Sequence, residues 1–229
     1  MKGEIYHYTD LLKAHKLFRK IEGRWKFYDA YMESREPNIW LKTPKVPLKE
    51  GLLLFGFVQS WDPYFRGDLA KFLQTYEEEI FGKIKQFKDK TIMEIDFTSS
   101  QVKNDIAVIF DKVARCSRGR RFESTDASKI LHAIIPKFFV MWDDKIREAL
   151  VSGDRSGRCY AFKFLPKMQE LIQKFINSYI NEKGGNQVLA LKQISSMADN
   201  YTLAKLIDEF NYIKYTKKKS LREIRNIPL

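Results

Sequence analysis

The sequence is poor in the residues that would hold a metal, a disulfide framework or a membrane. Of its 229 residues only two are cysteine, Cys116 and Cys159, and three are histidine, His7, His15 and His132. Two cysteines cannot build a disulfide scaffold or a four-cysteine cluster. Histidines so scattered, with no HExxH pattern, have no metal-ligand spacing, so no metal is expected. No cofactor is expected either, because GxxxxGK[ST] and GxGxxG are both absent and leave nucleotide hydrolysis and dinucleotide redox chemistry unsupported. No apolar run approaches the roughly 20 residues of a membrane-spanning helix. Residues 1–10 mix charges and aromatics and lack the apolar centre of a secretory signal. The expectation is a cytoplasmic protein with no membrane partner, nucleoid-associated if it binds DNA, and of open oligomeric state.

Negative charge is also in short supply. Asp and Glu number 29 against 41 Lys and Arg, a net charge of +12. Such a balance speaks to partners more than to fold, and phosphate backbones are the commonest polyanionic partner. Part of the charge is clustered. Arg115-Cys116-Ser117-Arg118-Gly119-Arg120-Arg121 is one block, and Lys217, Lys218 and Lys219 belong to a second near the end. Between them Arg155 and Arg158 sit on a short Gly-containing loop. The first block pairs arginine forks with glycine freedom and so suits a phosphate backbone, with Cys116 as a phosphate-facing loop residue. The plainer explanation is that lysine-rich surfaces also serve solubility and ion-pair networks.

What is present is material for a helical core: hydrophobic residues make up 44% and aromatics 14%. Leu69, Phe72, Leu73, Tyr76, Ile80, Ile84 and Phe87 recur at three- and four-residue steps and predict one long amphipathic helix. Similar patterns run through Val102–Val113, Phe164–Tyr179, Val188–Ile194 and Leu203–Ile213. The fold class is therefore all-α, with a short strand conceivable only near residues 52–58 and 92–97. Residues 37–63 carry four of the seven prolines, Pro37, Pro44, Pro47 and Pro63. They read as an ordered, extended crossing, because proline interrupts helices. A single two-lobed domain over 1–229 follows, with an aromatic, proline-rich part at 1–67 and a helical body at 68–229. Within the first part Phe57, Gln59, Trp61 and Tyr64, joined by Trp142, have the composition of a base-stacking pocket. Core packing is the competing explanation.

The most informative stretch is residues 123–147. Ser124, Thr125 or Asp126 opens a helix that Pro136 ends, an apolar link from Phe138 to Trp142 follows, and Asp143 or Asp144 caps the next helix. Lys129 falls in the first turn of the first helix and Asp143 at the start of the second. This arrangement resembles the catalytic segment of the helix-hairpin-helix superfamily of DNA glycosylases. There a lysine on one helix, an apolar link and an aspartate at the next helix's start occur in this order. The segment departs from that family in three respects. Arg121-Phe122-Glu123-Ser124-Thr125 replaces the glycine hairpin, the lysine–aspartate interval is about one helical turn shorter, and the cysteines of the iron–sulfur members are missing.

The resemblance implies a two-lobed helical fold, a nucleic-acid partner with DNA favoured over RNA, and excision of a damaged or modified base with cleavage of the abasic strand. On that reading Asp143 stabilises positive charge on the sugar, Lys129 forms the Schiff base, and His132, three residues on, handles a proton. The arginine block, Arg115 to Arg121, would lie beside this pair and hold phosphates. Each residue also has a structural explanation: Asp143 as a helix cap, Lys129 as a solvated or phosphate-contacting cation, His132 as a satisfied core histidine. Two alternatives of other classes stand beside the enzyme, a non-enzymatic DNA- or RNA-binding protein and a host-defence or interaction protein on the same helical scaffold.

Overall fold

A computed structural model describes residues 4–229 and, at Arg120, the backbone alone. The chain is all-α, and among the described residues the only β-type pairing is an isolated bridge between Gly67 and Ser117. The first part comprises α1 (Tyr8–Ile21), α2 (Trp25–Ser34), the short α3 (Ile39–Lys42) and α4 (Leu48–Trp61). A continuous helical run follows over residues 69–87: α5 (Leu69–Thr75), a widened π turn (Tyr76–Ile80), α6 (Phe81–Ile84) and a closing 3-10 turn. Next come α7 (Ser100–Ala114), α8 (Ser124–Ile134), α9 (Asp144–Val151), the single turn α10 (Gly157–Cys159) and α11 (Leu165–Lys183). The chain closes with α12 (Gln187–Ser196), α13 (Leu203–Asn211) and α14 (Leu221–Arg225). None of these helices is long and apolar enough to cross a membrane among the described residues.

Neither conceivable strand forms. Residues 52–58 lie inside α4, because Pro47 stands at its N-cap and Pro63 just beyond its end, leaving fifteen proline-free residues between them, of which fourteen are helical. Prolines in those positions frame a helix without breaking it, so the extended crossing is also corrected: it contains α3 and α4. A short apolar run has the same composition in a buried helix as in a buried strand. Residues 92–97 begin as a 3-10 turn closed by a Thr91–Glu94 capping box.

Chain order and spatial order differ in a way that creates the site. α1 packs against α11, α13 and α14, so the two ends of the chain lie together. α2 packs on α4, and α4 and α7 both pack on α8. Every residue of α8 except Thr125 is buried, Lys129 keeping a small exposed tip, so most of its polar side chains point into protein. Buried polar groups are tolerated only with partners, and those partners set the geometry of the link that follows.

Candidate functional site

Ser128 and His132, one helical turn apart on α8, stitch the apolar link to the helix. The Ser128 hydroxyl accepts from the Trp142 amide at 3.2 Å and donates to the Thr125 carbonyl at 2.7 Å. His132 Nδ1 lies 2.6 Å from the Phe139 carbonyl, and Nε2 lies 3.1 Å from the Tyr28 hydroxyl. A carbonyl can only accept, so Nδ1 carries the proton and Nε2 accepts from Tyr28. Burial pushes the His132 pKa down to about 3, which keeps the ring neutral. His132 is thus a structural pin with no surface on the site, and the proton-handling role expected of it has no geometry here.

The Ser128 stitch places Asp143, next to Trp142, opposite Lys129, next to Ser128. Both line one cleft of about 320 Å³, together with Trp61, Tyr64, Trp142 and Tyr212. Of the stacking residues expected from sequence, Trp61, Tyr64 and Trp142 reach this cleft. Gln59 instead lines a neighbouring groove. Phe57 is buried, stacked on Tyr31 with ring centroids 5.0 Å apart, and lines neither.

Lys129 is held by two carboxylates, its Nζ 3.1 Å from Asp126 Oδ1 and 3.4 Å from Asp62 Oδ2. It stands in the second turn of α8, because the helix starts at Ser124 behind Glu123, and Glu123 makes no side-chain cap. The expected caps are absent or committed elsewhere: the Ser124 hydroxyl is buried without a partner, Thr125 accepts from Arg147 at 3.1 Å, and Asp126 binds Lys129. Burial raises Asp126 to about 6, with Lys129 opposing the shift. Asp143 does cap α9, accepting from the Ile146 amide at 2.8 Å, and its second oxygen accepts from the Thr216 hydroxyl. Thr216 and Tyr212 are the two ends of a π turn that continues α13, so one irregular turn supplies a cleft wall and orients the aspartate.

Sequence reasoning missed a second carboxylate on the cleft. Asp208 of α13 lines it, with burial raising its pKa to about 6 against the pull of Lys205, while Glu209 and Asp143 add to the rise. Behind it Lys205 is fully buried, 3.0 Å from both Asp208 and Glu209, with the rings of Phe18, Trp61 and Tyr28 around its ammonium at 4.7, 4.9 and 5.2 Å. The Lys205–Asp208–Glu209 spacing of three and four residues was visible in the sequence, but its burial was not. Asp62, which the sequence sets beside the aromatics of residues 55–67, and Arg24 also line the cleft, and nothing in the local sequence marks Arg24. Two cations and three carboxylates thus surround a space with aromatic walls. No group of three or more His, Cys, Asp or Glu side chains converges to hold a metal ion among the described residues.

The arginine block does not border this cleft. Its backbone folds back onto the segment after α4, with the Arg118 amide donating to the Arg66 carbonyl at 2.8 Å and the Asp68 amide to the Cys116 carbonyl at 3.0 Å. Arg118 and Arg121 consequently line the neighbouring groove, Arg115 lies over Phe122 with its guanidinium carbon 5.4 Å from the ring, and the Arg120 side chain falls outside the described part. Cys116 is buried, donates to the Lys112 carbonyl, and has its pKa raised by that burial, so it does not face phosphate. Arg155 and Arg158 are exposed away from the cleft, Arg158 over Phe162. In the tail Lys217, Lys218 and Lys219 are exposed, and Lys219 is paired with Glu223 at 2.9 Å.

The chain matches no family model, and none of the curated proteins or solved structures is significantly similar to it.

Proposed function

We propose that the protein acts on nucleic acid, as an N-glycosylase with abasic-lyase activity that takes an extruded nucleotide into the Lys129–Asp143 cleft. The observation that carries this reading is the convergence of Lys129 and Asp143 on one aromatic-walled cavity from separate helices. Cleavage of an N-glycosidic bond builds positive charge on the sugar, and a carboxylate held in place by Ile146 and Thr216 is pre-oriented to stabilise it. Trp61 and Tyr64 offer faces for a base that has left its stack, while Trp142 is packed in the core behind them. In the lyase step the Lys129 ammonium first passes a proton to Asp126, whose burial already favours the protonated form. The neutral amine then attacks C1′ as the base departs with the bonding electron pair and takes up the proton from Asp126. A proton next passes from the attached nitrogen to O4′, the C1′–O4′ bond breaks, and the opened sugar is left as a protonated Schiff base on Nζ.

A second reading has its own support: Lys129 and Asp143 are both fully employed in structural bonds, as a binding protein without chemistry would require. Borohydride trapping separates the two. Duplexes carrying damaged or modified bases, incubated with the protein and reduced, should give a covalent adduct that disappears in Lys129→Ala, and Asp143→Asn should abolish base release. An adduct that persists in Lys129→Ala removes the lyase assignment. No base release by the wild-type protein, with DNA binding retained, leaves the binding protein as the function.

A further inference from the structure

Residues 61–67 form a ridge with a cavity on each side. Trp61, Asp62, Pro63 and Tyr64 face the Lys129–Asp143 cleft, whereas Phe65, Arg66 and Gly67 face a larger groove of about 840 Å³. The ridge is tied down by its own backbone, with Phe65 N donating to Asp62 O at 2.9 Å, and by Gln59, which donates to the Pro63 carbonyl at 3.0 Å. It is also pressed close: a side chain at Gly67 would collide with Phe65 and Phe55. Phe55 and Phe65 meet edge to face, centroids 5.1 Å apart, and form the apolar floor. Arg66, Arg118 and Arg121 line this groove, all exposed, and among the described residues none of them is in an ion pair and no carboxylate lines the groove. The volume is within the roughly 300–1,000 Å³ typical of built ligand sites.

We infer that this groove binds an unpaired stretch of polynucleotide, its bases against Phe55 and Phe65 and its phosphates on Arg66, Arg118 and Arg121. Aromatic floors with arginine rims are the recurring solution for single strands, because an unpaired base exposes its π face and a paired one does not. Arginine forks match phosphate oxygens in pairs. The contrast with the cleft supports the division of labour: the cleft carries three carboxylates, which repel phosphate, and the groove carries none. The inference rests on the nucleic-acid reading above and deepens it. A strand with one nucleotide in the cleft crosses the ridge at Tyr64, and its neighbours descend into the groove. The substrate class is then nucleic acid with unpaired residues adjoining the target nucleotide.

The test is fluorescence anisotropy with a fluorescein-labelled 20-nucleotide oligo-dT, and with a duplex of equal length, across 50–300 mM NaCl. Wild-type protein should bind the single strand more tightly than the duplex. Arg66→Gln/Arg118→Gln should weaken binding at least tenfold and lower the salt slope by roughly 1.4, about 0.7 for each phosphate left without its arginine. Phe55→Leu should weaken it about five- to hundredfold with the slope unchanged, the span of one missing base stack. Lys88→Gln/Lys192→Gln, at exposed lysines that line neither cavity, should bind as wild type. Unchanged binding by the arginine pair, or an equal loss in this lysine control, overturns the assignment. So does an arginine pair that keeps oligo-dT but loses phosphatidylserine vesicles, which would make the groove a membrane contact. Lys129→Ala and Asp143→Asn should retain oligo-dT binding. Groove binding without base release by the wild-type protein would refute the glycosylase and leave the groove standing.

Discussion

Lys129 and Lys205 are each bracketed by two carboxylates, and in each case an aspartate three residues away is one of them. In each case burial raises that aspartate, Asp126 or Asp208, to about 6. The surroundings differ. Lys129 keeps a little exposure and lines the cleft, and one of its anions, Asp62, reaches solvent. Lys205 and its partner Glu209 are wholly buried, and aromatic rings surround the ammonium. Buried ion pairs contribute little net stability over an apolar isostere, yet removing one partner is expensive. Lys205 and Glu209 therefore lock the fold, with only Asp208 of that cluster reaching the cleft, whereas the Lys129 cluster meets the cleft through its ammonium and through Asp62. Trp61 belongs to both, because it lines the cleft and also lies over Lys205.

The largest effect expected is from Lys205→Met. It leaves Asp208 and Glu209 without their cation inside the protein, at a cost of about 3–5 kcal/mol. The matching change, Lys129→Met, should cost only about 1 kcal/mol, since Asp126 can take up a proton and Asp62 can hydrate. Urea unfolding at pH 7 measures both. Equal losses would dissolve the distinction between a locking cluster and a cleft-facing one.

Next in size is the dependence on pH. Asp126 titrates near 6 in the folded protein and near 3.8 when exposed, so between these values the folded state binds the extra proton. Its contribution to stability is therefore complete below about pH 4 and is lost as pH rises through 6, a change of at most about 3 kcal/mol. His132 runs the other way. Its folded pKa of about 3 lies below the ordinary 6.5, so the unfolded chain takes the proton first and stability falls as pH drops from 6.5 towards 3. The wild-type advantage over Asp126→Asn should shrink as pH rises from 4 to 6, and the advantage over His132→Gln should shrink as pH falls through the same window. Thermal unfolding of the three proteins at half-unit intervals checks both signs, and parallel curves would contradict both assignments.

How much of this was legible in the sequence depended on how local the cause was. The order of α8, link and α9 followed from Pro136, the apolar run and the capping chemistry of Asp143, and these elements stand where the sequence places them. The helical run over 69–87 was legible too, apart from the π turn at Tyr76–Ile80, which leaves no mark in hydrophobic spacing. Leu52 to Val58 misled because a buried helix and a buried strand share a composition. The arginine block was set beside Lys129 because the two are close along the chain. The backbone bonds from Arg118 to Arg66 and from Asp68 to Cys116 turn it to the far side of the ridge instead. Lys205, Asp208 and Glu209 had the spacing of a solvated face, and only the packing of α1 on α13 reveals that this face is covered.

The smallest effect expected separates the two aromatics of the ridge. Trp61 covers Lys205 with its ring and donates to the Arg24 carbonyl at 2.9 Å. Trp61→Ala therefore uncovers the locking cluster, and the cation–π attraction alone is worth about 2 kcal/mol when desolvated. Tyr64 is 83% exposed, and its ring contributes wall and crest to the cleft but no cover to Lys205. Tyr64→Ala should then change stability by no more than about 0.5 kcal/mol, as exposed substitutions ordinarily do. An aromatic that the fold does not need, held at the crest between two cavities, retains its value only through what it touches from outside. Oligo-dT binding measured alongside urea unfolding distinguishes the cases: Tyr64→Ala should lose affinity at constant stability. A variant that lost stability and kept affinity would place Tyr64 with the locking cluster and leave the crest without a ligand.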